Sequence, residues 1–166
     1  MVLVSKRPAL FRTALNPRHE CGAYQLRAVL NANGRDVSPE ELYWSDWMRR
    51  CDWSLPWLMP AILRRYGIHA RWHFWRHTPF KENALATLVR DCPVLFVISS
   101  IVKPGSGLHW ISAWGYDDAT DEFLCYDSKA PETRDASGNA RYSTSLLLSR
   151  LPWWGTFALT IEGETP

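Results

Sequence analysis

Cysteine is scarce and scattered: the four that occur, Cys21, Cys51, Cys92 and Cys125, form no CxxC pair and no short-spaced cluster. That excludes a zinc knuckle, gives no basis for a disulfide framework, and suits reduced thiols in a reducing compartment. Any run of about 18 apolar residues is also missing, so no membrane-spanning helix is written in the chain. The opening stretch, Met1-Val2-Leu3-Val4-Ser5-Lys6-Arg7-Pro8, has no apolar segment of secretory length. A cytoplasmic protein is expected, or one delivered as an effector by a dedicated secretion system, without a signal peptide or a membrane partner. No charge of one sign dominates. The net charge is +2 over 166 residues with a pI near 8.4, which removes the bulk attraction for nucleic acid or anionic lipid. Internal repeats and low-complexity tracts are absent as well, which argues against solenoids and linkers.

What is abundant is apolar and aromatic surface. Hydrophobic residues make up 46% of the chain and tryptophan occurs ten times, enough to build one core in a single domain over residues 1–166. Large aromatics dominate buried area in small domains, so most of these tryptophans belong in or against that core.

From Cys21 to Asn33 the apolar residues Ala23, Leu26, Ala28, Val29 and Leu30 recur with helical spacing, and Gly34 stops the helix. Ser38-Pro39-Glu40-Glu41 is a capping box with proline at the first helical position, opening a second helix through Arg50. A third is expected from Ser54 to Tyr66, ended by Gly67. Ile68 to Trp75 alternates as a half-exposed strand, and Lys81 to Arg90 reads as a helix. The continuous apolar run Pro93 to Ser99 is a central strand covered on both faces. Leu108 to Tyr116 and Glu122 to Asp127 form a hairpin about the acidic turn Asp117-Asp118-Ala119-Thr120-Asp121. Lys129 to Arg141, rich in Pro, Gly, Asp and Asn, reads as a surface loop; a short helix from Ser143 to Leu151 and a strand from Thr156 to Ile161 close the chain. The pattern is α+β, a helical N-terminal part followed by an antiparallel sheet.

Onto this frame falls a sequence of chemical residues: Cys21 at a helix start, His109 on a strand, Asp127 at a strand end. A thiol is a strong nucleophile only as thiolate, which a neighbouring imidazole stabilises and a carboxylate-oriented imidazole stabilises best. The positive end of a helix adds to the effect. Taken singly, each is ordinary: a buried small residue, a strand histidine, a turn aspartate. Taken in order they make a nucleophile, a base and an orienter. Asp117 and Asp118 compete for the last role, but they stand at a hairpin tip.

Glu20-Cys21-Gly22-Ala23, Ser38-Pro39-Glu40-Glu41-Leu42, Pro93-Val94-Leu95 and His109-Trp110 leading to Gly115-Tyr116-Asp117-Asp118 resemble the papain-like cysteine peptidases of the bacterial double-glycine leader peptidase type. His109-Trp110, Tyr126-Asp127-Ser128-Lys129 and Phe157 to Gly163 are also similar to Josephin-type deubiquitinases. The resemblance spans nearly the whole chain. It implies a papain-like fold and a Cys21-His109-Asp127 triad cleaving a peptide, isopeptide or amide bond through a thioester, with no cofactor and no metal. It further implies a protein or peptide partner, either ubiquitin or a leader peptide. Trp110 is expected to bind substrate at the cleft, and so is Tyr24, which departs from the small residues that the leader-peptidase relatives usually carry there. Asn16 would donate to the oxyanion beside the Cys21 backbone N–H, where both families carry glutamine. Glutamine deamidation and acyl transfer to an amine use the same triad and remain alternatives. So does a catalytically inactive binding module on the same frame.

His69, His73 and His77 recur every fourth residue, a metal-ligand spacing on a helix, but the local pattern is a strand and no HExxH glutamate is present. Arg64, Arg65, Arg71 and Arg76 interleave with Trp72, Phe74 and Trp75 in the manner of a stacking platform for single-stranded nucleic acid. The balanced overall charge favours a protein-binding face instead, so no nucleic-acid partner is expected.

Overall fold

A computed structural model describes residues 1–14, 20–43, 55–99, 101, 107–135 and 138–164. Its elements are β1 (Val2–Leu3), α1 (Cys21–Ala32), a short 3-10 helix (Pro39–Leu42), α2 (Met59–Arg64), β2 (Ile68–Trp75), α3 (Phe80–Leu88), β3 (Val94–Ser99), β4 (Leu108–Asp117), β5 (Glu122–Tyr126), β6 (Ala140–Ser143), α4 (Thr144–Arg150) and β7 (Thr156–Glu164). Seven strands form one sheet in the order β2-β7-β3-β4-β5-β6, with β1 added to the far end of β4. Every pairing is antiparallel.

The apolar run of β3 lies between β7 and β4, and five of its six residues are buried, the burial a continuous Val/Leu/Ile/Phe strand requires. β2, the alternating strand, takes the edge, where Trp72 and Phe74 remain 45% and 47% exposed. α1 buries Ala23, Leu26, Val29 and Leu30 and packs on β4. Trp114 on β4 is fully buried, with its indole N–H donated to Ser112 Oγ at 2.7 Å. At Gly115 a side chain is excluded: a Cβ would meet Leu3 and the Val2 carbonyl within 2.7 Å, so the glycine admits β1.

Where expected and observed elements differ, local chemistry accounts for it. The capping box at Ser38 forms, with the Ser38 N–H donated to the Glu41 carboxylate, but it opens a single 3-10 turn; the remainder of the expected second helix, 44–50, falls outside the described residues. α2 begins only at Met59, with Pro60 accommodated in its first turn. α3 ends at Leu88 because the chain turns through Asp91 at φ 62. The expected loop Lys129 to Arg141 gives way at its end to β6, which pairs with β5 and continues into α4 behind the Ser143 cap.

Candidate active site

α1 starts on Cys21 itself. The N-cap residue, Glu20, makes no side-chain capping bond and no acidic residue occupies the first turn, so the helix's partial positive charge bears on the half-buried thiol. His109 is the second residue of β4, opposite Ile98 of β3. Asp127 follows the last residue of β5, and the side chains of both His109 and Asp127 are fully buried. His109 Nε2 and Asp127 Oδ1 are 2.7 Å apart. His109 Nδ1 is buried and makes no hydrogen bond of ordinary geometry among the described residues. It is the nitrogen left to the thiol, because a proton held on Nε2 by Asp127 leaves the Nδ1 lone pair free in the neutral ring.

Asp127 is held from every side. Oδ1 also accepts from the Lys129 N–H at 2.8 Å, and Oδ2 accepts from the Tyr142 hydroxyl at 2.9 Å. Its backbone N–H donates to Asn139 Oδ1, and its carbonyl accepts from Asn139 Nδ2, both at 2.8 Å. A carboxylate saturated in this way stays ionised and does not swing.

The charges follow from these partners. Burial pushes the Cys21 thiol up, but the hydrogen bond and charge of His109, a backbone hydrogen bond from Trp110 and the charge of Lys129 bring it below its ordinary value. Burial pushes the imidazolium of His109 down, yet Asp127 and Cys21 lift it above the ordinary histidine value. Asp127, pushed up by burial, is pulled lower still by His109, Lys129 and Tyr142. The three shifts together favour a thiolate beside an imidazolium.

Of the other anticipated site residues, Tyr24 and Trp110 are 4% and 5% exposed and belong to the core. Tyr24 lines a cavity of about 110 Å³ with Arg12, Arg27 and Tyr126. Asn16 lies outside the described residues. Asp117 and Asp118 stand at the opposite end of β4 from His109, roughly 25 Å away at about 3.3 Å per residue; Asp118 there binds the N-terminal ammonium at 2.6 Å. His69 and His73 fall on strand β2, and His73 Nε2 meets Thr160 Oγ1 at 2.9 Å. The sequence says little of Tyr142 and Asn139, since both fall in or beside the Pro- and Gly-rich stretch 129–141. The only local signal for them was Gly138-Asn139 preceding an aromatic residue.

No family model and no curated protein matches the sequence. Solved structures do. The peptidase domain of Streptococcus ComA, a bi-functional ABC transporter of a quorum-sensing pathway, superimposes with a TM-score of 0.63 at 15% identity, covering 95% of this chain and 99% of that one. A double-glycine-motif protease from an AMS/PCAT transporter, solved with its leader peptide, gives 0.65 at 15% identity, covering 99% of both chains. The N-terminal peptidase domain of a toxin-secretion ATP-binding protein from Vibrio parahaemolyticus gives 0.53 at 16% identity, covering 92% and 100%. The α+β architecture, with a cysteine heading the first long helix and a histidine and aspartate on the sheet, is thus the papain-like cysteine peptidase fold in the form built by these bacterial peptidase domains.

Proposed function

We propose that this chain is a cysteine peptidase whose nucleophile is Cys21, whose acid and base is His109 and whose orienter is Asp127. One observation carries the reading: the buried 2.7 Å contact of His109 Nε2 with Asp127, which leaves Nδ1 for a thiol at the head of α1. In the reaction the Cys21 thiolate attacks the carbonyl carbon, and the carbonyl electron pair moves onto oxygen. The Cys21 backbone N–H at the helix start and the amide of Asn16 receive that oxyanion. His109 gives the proton on Nδ1 to the leaving amine, and a thioester remains. A water that loses its proton to His109 attacks the thioester, releasing the acid and restoring the thiolate.

A neighbour of the same fold solved with a leader peptide supports a peptide substrate. We assign this chain a precursor peptide whose leader segment ends in two small residues, of the double-glycine kind, with the bond after that pair presented to Cys21.

Iodoacetamide and a double-glycine peptide test the reading together. Cys21 should label rapidly and at a single site, the peptide should be cut after its second glycine, and His109→Ala should abolish both. Labelling of Cys21 no faster than that of Cys92 overturns the triad. Rapid labelling with an intact peptide, but reaction with a ubiquitin carboxy-terminal electrophile, retains the triad and replaces the substrate.

A further inference from the structure

Gln25 is wholly buried on α1, one turn beyond Cys21 and on the same face. An apolar side chain would be the ordinary occupant, as at Ala23, Leu26 and Val29. Instead the amide bridges three elements. Its Nε2 donates to the carbonyls of Trp110 at 3.3 Å and Tyr126 at 3.4 Å, long bonds from two different strands. Its Oε1 accepts from Ser112 Oγ at 2.6 Å, and Ser112 in turn accepts the Trp114 indole N–H at 2.7 Å. A buried amide is costly unless it is satisfied, and this one has three partners.

The positions of those partners matter. Trp110 directly follows His109, and Tyr126 directly precedes Asp127. The Ser112 to Tyr126 rung is the last that joins β4 to β5 at the site end; beyond it β5 stops and no further rung forms. Gln25 sits at that end. The Trp110 backbone is turned to α1 on both counts, its N–H to the Cys21 sulfur and its carbonyl to Gln25. One helix turn therefore takes the place of the missing rung.

We propose that Gln25 is a positioning residue of this site: its amide bridges the site end of β4 and β5 and pins it to α1, fixing where Cys21, His109 and Asp127 stand relative to one another. The proposal rests on the triad reading above. A purely space-filling residue would act through stability alone. A positioning residue acts on the thiolate–imidazolium pair as well, because that pair depends on separation and alignment.

The test uses the full chain with Gln25→Met, which keeps length and volume and removes every hydrogen bond. In the folded variant, Cys21 alkylation by iodoacetamide is followed against pH, beside kcat and KM on the double-glycine peptide. The alkylation midpoint should move up towards an ordinary thiol, kcat should fall roughly ten- to hundredfold, and KM should stay within about twofold. An unchanged midpoint and kcat overturn the proposal. If Gln25→Met does not fold, Ser112→Ala, which removes one hydroxyl aimed at the amide, carries the same prediction at roughly three- to tenfold in kcat; a folded Ser112→Ala with the wild-type profile likewise overturns it. Wild-type labelling separates the two failures. A slow Cys21 in the wild type fells the triad and Gln25 with it, whereas a fast Cys21 in wild type and variants alike fells Gln25 alone.

Discussion

Tyr142 contributes a single hydroxyl, yet that hydroxyl joins His109 and the Lys129 N–H in keeping Asp127 ionised. Burial raises the phenol well above its ordinary value, so it remains a donor throughout the working range. Tyr142→Phe leaves Asp127 Oδ2 buried without that partner, at a cost of about 1–3 kcal/mol. We expect a lower melting temperature, and an acid limb of kcat/KM displaced upward because a less ionised Asp127 supports less imidazolium. A displaced melting curve with an unmoved limb would show that the hydroxyl serves the fold only. The wild-type profile itself follows from the two shifts at the site. Thiolate exists above the lowered value of Cys21 and imidazolium below the raised value of His109, so activity should form a bell between them, its limbs belonging to the pair. His109→Ala should turn Cys21 alkylation into a single rise at higher pH, since the imidazole that most offsets the thiol's burial is then gone.

At the scale of elements, the turn between β5 and β6 aims Asp127, and Gly138 makes the turn possible. Its φ of 105 is closed to other residues, and a Cβ there would overlap the Cys125 carbonyl. Gly138→Ala should therefore cost about 3 kcal/mol or more; a melting temperature within a degree or two of wild type would refute this. Asn139, beside it, binds the Asp127 backbone from both ends, so Asn139→Ala should reduce kcat more than KM. These elements also show what could be read from the sequence and what could not. α1 was legible from Cys21 because its apolar spacing and terminal glycine are local. β3 was legible from its continuous apolar run, and β4 and β5 from the acidic turn between them, because these signals are local too. β6 was hidden: four residues after a Pro- and Gly-rich stretch carry no period, and only pairing with β5 makes them a strand. The order Cys21, His109, Asp127 was readable because each lies at an element end. Gln25 was not, since its partners lie 85 to 101 residues away and nothing adjacent marks a polar residue on an apolar face as bridging rather than tolerated.

For the molecule as a whole, the thiols report the site and the fold separately. Cys21 is half-buried beside an imidazolium, and its thiol lies below the ordinary value. Burial raises Cys92, and Cys125, fully enclosed between β4 and β6, lies far above it. Among the thiols of the described residues, iodoacetamide at neutral pH should modify Cys21 first and Cys92 slowly, leaving Cys125 untouched until the sheet opens. Cys125 labelling is then a clock for global unfolding. Its pH dependence can be derived from the charges of the site. Asp127 is depressed in the fold, so its contribution is present above the ordinary carboxylate range, about pH 4, and is lost as pH falls through the folded value. His109 is raised, so its contribution is full below about pH 6.5 and is lost as pH rises through its folded value. These two contributions coexist at their fullest from about pH 4 to 6.5, and the Cys125 rate, corrected for intrinsic thiol reactivity, should be lowest there and climb on the acid side. In Asp127→Asn the acid-side climb should flatten while Cys21 loses its early reactivity. An equally steep climb in that variant would place the acid sensitivity elsewhere, in the exposed carboxylates Asp91, Asp118 and Asp121, whose values are also depressed, and would detach the stability of the fold from the chemistry of its site.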